Sequence, residues 1–167
     1  MRTVPRIPSL IAALLASAVL EVGCATHPAA PAPTPHAPSL TTPADQGAVI
    51  AAVAASLVGT PYHFGAADAS GFDCSGLALY VYERAGLAIP RTAAAQQRAA
   101  RPVSLAELAP GDLVFFRIRA RRAIDHVGIY AGAGRFIHAP RAGQTVTYAD
   151  LTRGFYARRL RSAGRFW

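Results

Sequence analysis

The sequence predicts an α+β fold in which helices come first and pack on a small antiparallel sheet. Three observations lead there. Between Cys74 and Ala85 the apolar residues fall at 74, 77, 78, 81 and 85, the i, i+3, i+4 spacing of a helix with one buried face. Later the pattern changes to short apolar runs broken by turn signals, such as Pro-Gly in "LAPGDLVFF" and "GAG" in "DHVGIYAGAGRFIHAP". The helical signals all precede the strand signals, an order that favours an antiparallel sheet over alternating βαβ units. The 167 residues are one domain's worth.

In chain order, Met1–Pro8 carries two arginines and no acid, and Ser9–Leu20 is an apolar run of 12 residues. That run is short of the about 20 residues that span a bilayer. Basic flank plus short apolar core predicts an export signal over residues 1–23. "LEVGC", Leu20–Cys24, resembles a bacterial lipobox in Gly23 and Cys24, while Glu21 departs from it. Lipidation of Cys24 is expected, with plain cleavage nearby as the alternative. Residues 25–45 hold six prolines and no apolar period, which predicts an extended tether over 24–45. His27 and His36 sit there as solvated linker residues. The folded domain is expected over 46–167.

Within it, Gly47–Gly59 reads as a helix and the following stretch, with Pro61, Gly65 and Gly71, as loop. Asp73 is a good N-cap for the helix that begins at Cys74, and Gly86 closes that helix. "RTAAAQQRAA" predicts a short helix and Leu108–Phe116 a turn running into a strand. Asp125–Pro140 predicts a hairpin, and "QTVTYAD" and "GFYARRLR" predict further strands.

The charge is one-sided: 17 Arg, no Lys and 9 acids. Such a surface suits a polyanion, whether nucleic acid, anionic lipid or anionic wall polymer. Export sets nucleic acid aside. It also makes Cys74 an orphan thiol if lipid consumes Cys24, in a compartment where disulfides persist. A Cys24–Cys74 disulfide is the alternative. A thiol at a helix N-terminus is expected to have a lowered pKa, because unpaired N–H groups favour the anion. His126 opens one predicted strand and His138 ends the next, so the two can meet as cross-strand neighbours at about 5 Å. One ring would then orient the other, as in a nucleophile–base–orienter triad. Two hairpin histidines without a common role remain the plainer reading.

The motifs "GTPYHFG", "GFDCSGLALYVYERAGLAIPRT", "LAPGDLVFF", "DHVGIY" and "GRFIHAP", in this order over about Ala52 to Arg161, resemble the NlpC/P60 family of cell-wall cysteine peptidases. The resemblance implies a papain-like α+β domain with Cys74 as nucleophile, His126 as general base and His138 as the residue that orients the base. It implies oxyanion or substrate contacts for Tyr62, and substrate contacts for Asp73 and Ser75. Arg91 is a candidate for a substrate carboxylate, with a surface salt bridge as the alternative, and the job of Gln96 is open. Ala66 and His63 depart from the family's usual residues. The implied activity is hydrolysis of an amide in peptidoglycan stem peptides, at the γ-D-glutamyl–diamino acid bond or the D-alanyl cross-link. A non-hydrolytic envelope-binding lipoprotein and a thiol amidase or acyltransferase are the rivals. No cofactor, metal or nucleic acid is implied. The expected state is a monomer held by lipid at the periplasmic face of the outer membrane. The Arg-rich runs Arg117–Arg122 and Arg158–Arg161 read either as a solvated face or as an attraction to anionic partners.

Overall fold

The computed structural model describes residues 42–119 and 122–167, and the expected signal, lipidation site and most of the tether lie outside them. The first helix, α1 (Pro43–Ser56), starts four residues before the predicted Gly47. Thr42 and Asp45 form a reciprocal cap. The Thr42 hydroxyl accepts the Asp45 N–H at 3.3 Å, and the Asp45 carboxylate accepts the Thr42 N–H at 3.0 Å. Pro43 opens the helix without cost, because a first-turn N–H has no helical partner. A proline read as tether is therefore a helix start.

The stretch expected to be loop contains a hairpin of two very short strands, β1 (Ala67–Asp68) and β2 (Gly71–Phe72). Then comes α2 (Cys74–Arg84). Asp73 caps it as predicted, its Oδ1 accepting the Gly76 N–H at 2.6 Å. The helix ends at Ala85, and Gly86 follows at φ 77°. Helix α3 (Ala93–Ala99) is capped by Thr92. The strands are β3 (Arg101–Val103), β4 (Leu113–Phe116), β5 (His126–Gly132), β6 (Arg135–His138), β7 (Thr147–Asp150) and, after the one-turn helix α4 (Gly154–Ala157), β8 (Leu160–Arg165). All but β1 and β2 form one antiparallel sheet in the order β3-β8-β4-β5-β6-β7.

The predicted strand over 154–161 needs correction, since its first half is α4. Asp150 Oδ1 accepts the N–H groups of Thr152 at 2.7 Å and Arg153 at 3.2 Å, which turns the chain out of β7. Gly154 then takes φ 77°, which an extended run does not allow.

Strand alternation sorts the core. Leu113, Phe115, Val127, Ile129 and Ile137 share one cluster with Ile50, Leu77, Val81 and Tyr82 of the helices. Val114, Phe116 and Phe136 form a second cluster that Tyr156 and Leu160 join. Full burial of each large side chain is worth about 1.5–3 kcal/mol, so α2 is held mainly by this face. Its fully buried Tyr82 adds a hydrogen bond to the Gly111 carbonyl at 2.5 Å. Gly111 sits at φ 93° beneath the backbone of Gly47, where a Cβ would collide. The Pro110–Gly111 turn thus locks both helices to the start of β4.

Candidate active site

Three segments meet at the first turn of α2. Cys74 is its first residue. Gly76, two positions on, lies against the Ala66 carbonyl so closely that any Cβ would collide with it. The glycine after the cysteine therefore serves close packing of the helix on the preceding loop. Asp73 does more than cap. Arg91 forks onto it with contacts of 2.6 and 3.1 Å and also donates to Ser75 Oγ at 3.0 Å. Asp73 Oδ2 accepts the Gly65 N–H at 3.1 Å as well. Burial pushes the Asp73 carboxyl up, but the bonds from Arg91, Gly76 and Ser75 outweigh it and hold it below the usual carboxylate range. Gln96 is fully buried and donates to the carbonyls of Ser75 at 3.0 Å and Pro90 at 2.8 Å. Asp73, Ser75, Arg91 and Gln96 thus form a brace around the helix start. None of them lines the cleft that holds Cys74.

That cleft has a volume of about 780 Å³ and is walled by Tyr62, Cys74, Arg119, His126, Arg141 and Tyr156, among others. His63 is exposed and lies over Gly71 outside it. Tyr62 lies on the wall with Cys74, where an oxyanion or substrate contact is sterically open to it.

The histidines pair as the hairpin suggested, with one change. Ile129 pairs with Ile137 and Tyr130 with Phe136, then Gly132 with Arg135, so a bulge at Ala131 shifts the expected symmetry by one residue. His126 and His138 are diagonal neighbours on one face. Their rings stand at 88° with centroids 5.0 Å apart, and His126 Nε2 lies 2.8 Å from His138 Nδ1. With both rings neutral, a proton on His126 Nε2 leaves its Nδ1 lone pair free to act as a base. His126 is 5% exposed and His138 1%. Burial pushes His126 down to about 4 and His138 down to about 3.

Cys74 overturns one expectation. Burial pushes its thiol up to about 11. The N–H groups of Val127, Ser75 and Cys74 itself favour the thiolate but do not prevail, and the Asp73 charge opposes it further. The helix terminus does supply N–H groups, as the sequence implied, but desolvation is the larger effect. Burial of both groups thus favours the neutral pair, thiol and imidazole, over thiolate and imidazolium. Contact between the sulfur and the Val127 N–H sets the nucleophile beside His126, at the start of β5.

The sequence pattern gives Tyr156 no role at the site, because its segment reads as strand. Its ring packs edge-on against His138 at 4.8 Å and nearly parallel to His126 at 6.1 Å. It also touches Phe116 and Phe136, so it roofs the pair. Tyr156→Ala is expected to let water reach both rings, raise their pKa toward the ordinary 6.5 or so, and lower kcat by about 10–100-fold. Tyr156→Phe should keep most activity. Equal losses in both variants, with an unmoved acid limb, would show that the hydroxyl matters and the roof does not.

A half-buried thiol at a helix start, a buried imidazole beside it and a second imidazole on the first define a nucleophilic cysteine site of the acyl-transfer kind. Among the described residues, no group of three or more His, Cys, Asp or Glu is arranged to hold a metal ion. Residues 59–165 match the NlpC/P60 family, and the chain belongs to that family. It is 43% identical over 112 residues to the murein DD-endopeptidase MepH of Escherichia coli, covering 65% of this chain and 41% of that protein. It is 42% identical over 109 residues to the bifunctional muramidase/DL-endopeptidase CwlT of Bacillus subtilis, covering 64% of this chain and 32% of that one. The crystal structure of an NlpC/P60 family protein from Bacillus cereus superposes with a TM-score of 0.68 at 31% identity, covering 72% of this chain and 40% of that one. The chain thus spans less than half the length of each of these relatives.

Proposed function

We propose that the domain is a cysteine endopeptidase that hydrolyses an amide bond in peptidoglycan stem peptides. The observation that carries this reading is that Cys74 and His126 line one cleft, with His138 Nδ1 2.8 Å from His126 Nε2 behind it. The names of two relatives, a DD-endopeptidase and a DL-endopeptidase, support the substrate class and cover the two bonds in question. In the first step Cys74 Sγ attacks the peptide carbonyl while its proton passes to His126 Nδ1. The Cys74 N–H and Tyr62 hydroxyl are the donors for the oxyanion. His138 holds the imidazolium through the shared hydrogen bond. That proton then goes to the departing amine and the thioester remains. Water attacks the thioester with His126 as base, releasing a carboxylate and restoring the thiol. Digestion of purified sacculi, with product masses followed in time, tests the reading and names the bond. If no new amine and carboxylate ends form, the reading fails.

The same reading makes the protein an exported one, anchored by lipid at Cys24, with the residues up to Thr42 as its tether. The basic flank, the short apolar run and the Gly23-Cys24 pair support this. Anchoring predicts that Cys24→Ser moves the protein from the membrane fraction to the soluble one; an unchanged distribution sinks it.

A further inference from the structure

A second pocket, of about 310 Å³, lies between α3, the β4–β5 loop and β8, and four of its six polar lining residues are arginines. Arg98 and Gln97 come from α3, Arg117 and Arg122 from the loop, and Arg161 and Ser162 from β8. No acid lines it. Among the described residues the ion pairs belong to Arg91, Arg153 and Arg165, none of them here. Two lining residues also carry buried polar atoms without a hydrogen-bond partner, Arg117 Nε and Ser162 Oγ. Buried donors left without a partner are costly, so an acceptor brought to them is favoured.

The backbone is shaped to bring these groups together. Phe115 pairs with Ser162 and Phe116 with Leu160, which leaves Arg161 as the extra residue of a β-bulge. In a regular strand, adjacent side chains point to opposite faces. The bulge re-aims one of them, and Arg161 and Ser162 both reach the same pocket.

We propose that this pocket binds a phosphate-type oxyanion, either a free phosphate-bearing solute or a phospholipid headgroup. Guanidinium groups fork onto phosphate oxygens, and donors arriving from three separate elements suit a tetrahedral acceptor better than a planar carboxylate. Four arginines without acids answer a dianion better than a monoanion. The Arg-rich runs that the peptidase chemistry leaves unused acquire a role here. The bound group would sit against the loop that carries Ile118 and Arg119 to the cleft wall.

The test is calorimetric titration of the full-length chain with inorganic phosphate at fixed ionic strength, with acetate as the comparison anion. Phosphate should bind saturably, one per chain, and acetate should not. Arg117→Gln and Arg161→Gln should each weaken binding at least about tenfold, and Ser162→Ala about threefold to fivefold. Circular dichroism establishes that each variant is folded, and Arg98→Gln on α3 replaces either arginine variant that is not. Arg158→Gln, a cation outside the pocket, should change affinity little. Phosphatidylcholine vesicles with and without phosphatidic acid separate the two sources: competition with phosphate identifies a headgroup, and none identifies a solute. Acetate binding as tightly as phosphate, pocket variants that bind normally, or equal losses from Arg158→Gln and Arg161→Gln would each overturn the proposal.

Discussion

Cys74→Ala is expected to abolish hydrolysis of peptidoglycan, with kcat falling by about 10⁴- to 10⁶-fold. The loss is that large because no other described side chain in the cleft can replace the sulfur as nucleophile. His126→Ala should come close to the same floor, and the double variant should fall little further, since base and nucleophile act as one unit. The pH profile carries more detail. His126 must be unprotonated to accept the thiol proton, and burial pushes its pKa down to about 4. The acid limb of kcat/KM should therefore lie well below the ordinary imidazole value near 6.5. With the thiol pushed up to about 11, the rate should stay flat from about pH 6 to pH 9. Alkylation of Cys74 gives an independent reading. A resting thiol reacts slowly at neutral pH and speeds up only in strong alkali. An alkylation pKa below 7 would restore the preformed thiolate that the helix position alone predicts, and product release by Cys74→Ala would remove the mechanism.

Much of this site is legible in the sequence, and the reasons are local. Asp73 and the apolar spacing after Cys74 define a capped helix, and capping chemistry acts over three residues. The "GAG" turn fixes the approximate pairing of β5 and β6, and an even diagonal offset keeps His126 and His138 on one face. What escaped depends on partners remote in sequence. Burial of Cys74 and His126 comes from the whole assembly, so the sign of the thiol shift could not be read from the helix terminus. Tyr156 reaches the histidines only because Asp150 and Gly154 turn the chain, a device hidden in a run that looks like a strand. The Asp73–Arg91 fork joins residues 18 apart, a pairing that no local sequence signal marks. The same is true of the arginine pocket, where α3, the β4–β5 loop and β8 converge.

Arg165→Met is expected to cost the most stability, about 3 kcal/mol, and to lower Tm by roughly 10 °C. Asp112 is fully buried. Arg165 meets it with two hydrogen bonds, of 2.6 and 2.7 Å, and the Ala109 N–H adds a third at 2.9 Å. Methionine keeps much of the apolar stem of Arg165 but removes its charge, leaving a carboxylate buried without a counter-ion. The cost of such a residue exceeds the worth of the intact pair, because the pair has already lost most of its hydration. The Arg165 guanidinium also lies 4.2 Å over the Trp167 ring, and two controls separate the lost charge from that lost packing. Asp112→Asn combined with Arg165→Met removes the charge as well and should recover part of the loss. Arg153→Ala breaks a pair whose side chains are 86% and 37% exposed, and should change Tm little. The function follows the same geometry. Tyr130 and Asp112 are tied by the Tyr130 N–H to the Asp112 carbonyl at 2.7 Å, next to the Gly111 N–H on the Tyr130 carbonyl at 2.8 Å. The buried pair thus anchors the turn that aligns β4 with β5, the strand that carries His126. Arg165→Met should therefore lose activity on warming well before wild type, yet match it per folded molecule in the cold. A loss at low temperature with an unchanged Tm would instead place Arg165 in the chemistry.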